Sequence, residues 1–358
     1  MKQVAAGKSI VHNFIILQVV RSAGAGLDGP AGSRTLAHQF WLGYTEVAVT
    51  IITTLDLHWT GKPRCIATAL LRSDDFTALV DPGPGSTLAT LREQLAAHRS
   101  RVADLSAILL THIHLDHAGA TGELVRENPS LRVYVHRRGA PHMVDPAKLL
   151  SSAERLYRQD MQPLFGDFLP VPEANLQVLE GGETISVGAR ELKVLYTPGH
   201  ASHHVTYYEP TERVAFVGDT AGICIEGNRF ILPATPPPDI SLELWYASLE
   251  AIGQLVPRRL FLTHFGFSDQ AERHLTAYRG RLAQWGNLSA EIMARGNDET
   301  ESMRNFARAV AAEAAEFLTP DELSLYVFNG ALQLSWRGLE RYHRKHADSQ
   351  RGQIQAGS

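Results

Sequence analysis

The sequence predicts an α/β protein built as two similar β/α halves followed by a helical appendix. Three observations point there. Short β-branched or apolar runs alternate with segments of helical period once before Met161 and again from Leu176 to Leu262. From Asp269 to about His346 the period is helical almost throughout. The densest polar clusters stand directly after apolar runs, at the strand ends where β/α folds gather their sites.

The elements follow in order. Val47 to Ile52 is β-branched, and Cys65 to Leu71 and Thr77 to Val80 are further strand candidates, the last running into Asp81-Pro82-Gly83. Thr87 to His98 places Leu88, Leu91 and Leu95 at helical spacing, and Leu105 to Leu110 is a buried-strand run. Ala118 to Glu127 reads as helix, Arg132 to His136 as strand and Pro146 to Met161 as an amphipathic helix, whereas Gln162 to Pro172 is turn-rich. Strands resume at Leu176 to Leu179, Glu191 to Tyr196, His204 to Tyr208 and Val214 to Val217. Pro233 to Pro238 is stiff, Ser241 can cap the helix that runs to Leu255, and Arg259 to Leu262 is the last strand.

Composition narrows the functional class. The chain has 358 residues, 44% of them hydrophobic and 20% charged, which suits a folded protein with a sizeable core. Its net charge of −4 and the lack of a basic arm argue against a nucleic-acid partner. No apolar window is long enough to cross a bilayer; the nearest, Ile10 to Val20, is broken by His12, Asn13 and Gln18, which also argues against a signal peptide. Cys65 and Cys224 cannot form a disulfide framework and fit a reducing, cytoplasmic setting. The 16 histidines invite a search for metal ligands.

Thr111-His112-Ile113-His114-Leu115-Asp116-His117 follows a buried run and carries the pattern H-x-H-x-D-H. In an extended or turning segment, His112, His114 and Asp116 project to one side, while His117 faces a second position. One loop can thus serve two adjacent metals, and imidazole with carboxylate suits Zn²⁺. Three later strands each end on a further candidate: His200 in Thr197-Pro198-Gly199-His200, Asp219 in Gly218-Asp219-Thr220, and His264 in Thr263-His264-Phe265-Gly266. Cys224 reads as a small buried residue rather than a ligand, and His136 and His142 as surface or lid residues.

These motifs resemble those of the metallo-β-lactamase superfamily over roughly Val47 to Gly266, with Asp81 supplying the first of its five motifs. The resemblance implies a four-layer αββα sandwich with the metals at one edge. It implies that His112, His114 and His200 hold one metal, that Asp116, His117 and His264 hold the other, and that Asp219 bridges them. Asp81 would orient a ligand histidine, or equally serve only its turn. The implied cofactor is two Zn²⁺, with iron or manganese as substitutes. The implied chemistry is attack of a metal-bridging hydroxide on a carbonyl carbon, with Asp116 as a proton shuttle. Thr197 to His204 is similar to the T-P-G-H-T-x-G-H segment of glyoxalase II-like hydrolases, with His203 at its Gly position. Lactonases of the superfamily usually carry a Tyr three residues after the bridging Asp; here that position is Gly222.

The resulting expectation is a dinuclear hydrolase that opens an ester or lactone of a small, fairly apolar substrate. The alternatives are a glyoxalase II-like thioester hydrolase and a mononuclear iron oxidoreductase resembling persulfide dioxygenases. The expected domains are an irregular leader (1–45), a metallo-β-lactamase-like catalytic domain (46–267) with a lid insertion (139–172), a helical region (268–346) and a disordered tail (347–358). The segment Met143 to Phe168, with Leu149, Leu150, Tyr157 and Phe165 between, and the loop Phe265 to Phe267 are expected to form the apolar wall of the site. A small molecule is the expected partner, with neither nucleic acid nor membrane, and a homodimer is compatible.

Overall fold

The computed structural model describes residues 51–73, 76–188, 190–225 and 230–356, with side chains as far as residue 348. The expected leader and the first residues of the opening strand lie outside the described residues. Twelve strands form two six-stranded sheets. The first holds β1 (Ile51–Asp56), β2 (Ala67–Arg72), β3 (Thr77–Val80), β4 (Ala107–Leu109), β5 (Arg132–His136) and β6 (Leu176–Leu179), side by side in that order. β1 to β3 form an antiparallel meander, and β3 to β6 run parallel.

The second sheet holds β7 (Thr184–Val187), β8 (Arg190–Tyr196), β9 (Val205–Glu209), β10 (Val214–Phe216), β11 (Arg259–Leu262) and β12 (Gly266–Ser268). Only β10 and β11 pair in parallel there, with Val214 opposite Arg259. That parallel step needs a crossover, which is supplied by α7 (Leu242–Gln254). Ser241 caps α7 by accepting from the Leu244 amide.

The sheets pack face to face because their strands are apolar on both sides. In β2, Ala67, Ala69 and Leu71 enter the layer between the sheets, where they join Ala107 and Leu109 of β4, Val205 and Tyr207 of β9 and Phe261 of β11. The alternate residues, Leu70 of β2 and Ile108 of β4, turn to the helices outside. Burial on both faces is why these strands read as continuous apolar runs. On the outside of the first sheet lie α1 (Leu88–Ala97), α2 (Leu115–Ala118), α3 (Thr121–Glu127), α4 (Ala140–Val144), α5 (Ala147–Tyr157) and α6 (Met161–Phe165). The outer layer of the second consists of α7 with α8 (Ala271–Ala294), α9 (Glu299–Ala314), α10 (Pro320–Gly330) and α11 (Leu332–Ala356), whose Trp285, Phe306 and Trp336 are buried in one cluster. The architecture is the expected αββα sandwich with a helical C-terminal region.

Four short elements differ from the sequence reading. β7 and β12 are strands of four and three residues, too short to show a period. α6 forms inside the stretch read as turns. The polar motif itself turns helical at Leu115, so it is not extended throughout. That last difference moves Asp116: with about 100° of rotation per residue from Leu115 onward, it leaves the side shared by His112 and His114 and joins His117.

Candidate metal centre

Every candidate ligand stands just past a strand end on one rim of the sandwich. β4 leads into His112, β8 into His200, β10 into Asp219 and β11 into His264. The two halves are stitched together there, since the Val205 amide donates to Thr111 O at 2.8 Å. Gly218, at φ +47°, makes the approach possible: a Cβ there would collide with the Thr111 hydroxyl and the His204 ring.

Three ring nitrogens converge first. His114 Nδ1 lies 3.0 Å from His112 Nε2 and 2.9 Å from His200 Nε2. The tautomers are fixed from behind. His200 Nδ1 donates to Ala234 O at 2.9 Å, and His112 Nδ1 faces the Thr111 hydroxyl at 3.1 Å, a hydroxyl that itself donates to Asp81 at 2.7 Å. Both Nε2 atoms are therefore lone pairs aimed at His114. Lone pairs brought this close repel one another unless a cation sits among them, which is the first sign that the residues fit a metal.

A second group faces the first. His117 Nδ1 donates to Asp81 at 2.9 Å and His264 Nδ1 donates to Cys65 O at 2.8 Å, so each Nε2 faces inward and offers a lone pair once its own proton is displaced. Asp116 Oδ2 lies 3.3 Å from His264 Nε2 and 3.8 Å from His117 Nε2. Asp219 spans both groups: Oδ1 is 3.2 Å from His117 Nε2, and Oδ2 is 3.4 Å from His200 Nε2. Apart from their 3.2 Å contact with each other, His117 Nε2 and Asp219 Oδ1 are buried without an aligned hydrogen-bond partner among the described residues. Two orphaned atoms of this kind in one place are costly without an ion to satisfy them. The donor set of nitrogen and carboxylate oxygen suits zinc, iron or manganese.

Asp81 is more than a turn carboxylate. It accepts from the Thr111 amide, the Thr111 hydroxyl, the Thr263 hydroxyl and His117, so it holds the residues that precede His112 and His264 as well as His117 itself. It is fully buried, at φ +51°. That contact set selects between the two sequence readings of Asp81.

Charge follows the same division. Burial and the neighbouring His200 push His114 down to about 3, and burial with His117 and His114 pushes His112 well below the usual range. Burial works against the charged form of His117 as well, yet Asp219, Asp116 and Asp81 around it hold it well above 6.5. Despite burial, His117 and His264 hold Asp116 at about 2. One side of the centre is thus neutral imidazole and the other is ionic.

The centre opens into a cavity of about 300 Å³. Leu149, Ala153 and Leu156 line it from one stripe of α5, and Tyr157 and Phe165 continue that wall. Pro236 to Asp239 and, from the C-terminal region, Asn329 to Ala331 and Leu334 form the opposite wall. Of the expected wall, Leu149, Tyr157 and Phe165 line the cavity, and the other residues are corrected. Met143 and Phe168 face the core of the first sheet's outer layer. Phe265 packs between the sheets, and Phe267 packs on Phe261, so neither lines the cavity. His136 is a buried strand residue stacked on Tyr196 at 4.5 Å, not a surface group, because β5 is enclosed on both faces. His142 does line the cavity. His203, which the motifs do not mark as a site residue, lines the cavity beside His114, with ring centroids 5.5 Å apart; its place three residues after His200 is the available signal.

Comparison with known proteins agrees with this picture. Residues 65–264 match the family model of the Metallo-beta-lactamase superfamily. The chain is 26% identical over 219 residues to a metallo-beta-lactamase fold-containing protein of Sulfurisphaera tokodaii, an alignment covering 60% of this chain and 78% of that one. It is 32% identical over 160 residues to a hydroxyacylglutathione hydrolase of a Methylobacterium species, covering 43% of this chain and 51% of the relative. The alignment thus spans only about half of that hydrolase. Among solved structures, a metallo-beta-lactamase family protein of Thermus thermophilus superposes with a TM-score of 0.62 at 20% identity, covering 83% of this chain and 94% of that one.

Proposed function

Because the chain belongs to the metallo-β-lactamase superfamily, we propose that it is a dinuclear metal-dependent hydrolase that opens an ester or lactone bond of a small, largely apolar substrate. The observation that carries the reading is the bridging position of Asp219 between two facing ligand groups in a cavity with an apolar wall from α5. His112, His114 and His200 would hold one metal, Asp116, His117 and His264 the other, and Asp219 both. Zinc is the metal we propose. Divalent ions held there would make water a nucleophile at neutral pH and polarise a carbonyl oxygen.

The chain's own residues supply the rest. Leu149, Ala153, Leu156 and Phe165 bind the apolar part of the substrate and exclude water, at roughly 25 cal/mol per Å² buried. Asp116 lines the cavity, and its carboxylate would take up a proton from the attacking water and return it to the leaving oxygen. A small-molecule substrate, a cytoplasmic location and a compatible homodimer complete the reading. Among the described residues no helix is long and apolar enough to cross a membrane, and Cys65 and Cys224 form no disulfide.

A thioester substrate is the second reading, favoured by the similarity to hydroxyacylglutathione hydrolases. The deciding experiment is metal analysis of the purified protein followed by a panel of aryl esters, lactones, thioesters, phosphodiesters and β-lactams, with oxygen uptake measured in parallel. Ester or lactone turnover should dominate. Preference for thioesters selects the second reading, and oxygen consumption or preference for phosphodiesters removes both.

A further inference from the structure

His203 stands outside both ligand groups, and nothing in the metal centre requires it. Its environment is nonetheless built. The Ile113 amide donates to His203 Nδ1 at 3.4 Å, which leaves the proton of the neutral imidazole on Nε2. Among the described residues that Nε2 has no hydrogen-bond partner, and the ring lines the cavity. The ring plane is fixed: it stacks on His112 at 6.0 Å and 12° and meets His114 edge to face at 5.5 Å.

The turn carrying the ring is held on three sides. Tyr196 donates its hydroxyl to Ser202 O at 2.9 Å, Ser202 donates its hydroxyl to Asp239 at 2.7 Å, and the His204 amide donates to Ala201 O at 3.3 Å. A donor whose orientation is set before substrate arrives costs no reorganisation when charge develops opposite it. Among the other polar side chains that line the cavity, Arg138 and Lys148 are exposed, and Asp239, a carboxylate held by Ser202, has no hydrogen to donate.

We propose that His203 Nε2–H donates a hydrogen bond to the carbonyl oxygen of the bound acyl group and strengthens that bond as the oxygen gains negative charge. The assignment rests on the ester-hydrolase reading above for its substrate, but the donor itself can be tested without turnover, because the product of ester opening is a carboxylate that presents the same oxygen. Octanoate is a suitable probe.

The experiment uses full-length, metal-loaded protein with His203→Phe, which keeps a stacked ring and removes the donor, and His203→Gln, which keeps an N–H. Metal content is measured by mass spectrometry, octanoate affinity by calorimetry, and kcat and KM with p-nitrophenyl butyrate. Both variants should keep wild-type metal content. His203→Phe should bind octanoate about tenfold more weakly, and His203→Gln should recover most of that loss. The Phe variant should lose about 10²-fold in kcat with little change in KM. Should the Phe variant prove insoluble, His203→Ala gives the same comparison. Unchanged octanoate affinity without the donor, absence of octanoate binding to the wild type, or loss of metal from a folded variant would each overturn the assignment. A wild type that is inert toward every ester yet binds octanoate in a His203-dependent manner would sink the hydrolase reading and leave the donor in place.

Discussion

Asp219 and Asp81 stand at opposite ends of the same problem, holding charge in a buried place. Asp219 reaches both ligand groups, so Asp219→Ala should lower occupancy of both metals together. Loss of one metal with ordinary turnover would make it a peripheral ligand. Asp81 acts one bond further out. Its four hydrogen bonds set the tautomer of His117 and the approach of Thr111 and Thr263. Asp81→Asn keeps the shape but turns one acceptor into a donor, and metal affinity should fall about 10–100-fold. Titration with a competing chelator reads this directly; an affinity within twofold of wild type would mean that the network is dispensable. The residue types at these positions were legible in the sequence because metal chemistry admits few side chains. The division of the H-x-H-x-D-H motif was not legible from spacing alone, since it depends on a helix that starts at Leu115 and turns Asp116 away from His114.

Among the elements, α5 and α6 show how one insertion can have two faces. Leu149, Ala153 and Leu156 follow helical spacing toward the cavity, while Phe165 is shared between cavity and core and Phe168 belongs to the core alone. Leu156→Trp should therefore fill the cavity and raise KM for an octanoyl aryl ester about tenfold, leaving the acetyl ester nearly unchanged. Phe168→Ala should instead cost about 3–5 kcal/mol of stability with the ratio of KM values intact. Denaturant unfolding and paired kinetics separate the two; equal KM effects from both variants would mean that the wall is misplaced. Amphipathic period marked this segment in the sequence. It gave no means of telling which aromatic faces the cavity, because a tight turn at Gly166, with φ +65°, changes the direction of the chain between Phe165 and Phe168. The far wall, Asn329 to Leu334, lies well beyond the last motif, and only tertiary packing brings it in.

At the scale of the whole molecule, buried histidine makes folding depend on pH. In the metal-free protein His112, His114, His136, His200, His203, His204, His274 and His343 all lie below their unfolded value, each first through burial. Below about pH 6.5 the unfolded chain binds protons at these sites and the folded chain does not, so stability falls as pH drops. His117 and His264 shift the other way: their contribution is complete below about 6.5 and fades as pH rises through their folded values. Among the described residues, eight against two sets the sign. The unfolding midpoint of metal-free protein should fall between pH 7.5 and pH 5.5, as followed by calorimetry. A midpoint that climbs over this interval would show that the ionic side dominates.

The wall contributed by Asn329 to Leu334 also has a consequence for the order of events during synthesis. His264, last of the candidate ligands, leaves the ribosome some sixty-five residues before Asn329 does. A nascent chain that has just exposed all seven candidate ligands therefore has only the Pro236 to Asp239 part of that wall, and the rest arrives when α10 and α11 dock. Ion loading can precede closure, so the last helices to emerge convert an accessible ligand cluster into a walled reaction chamber.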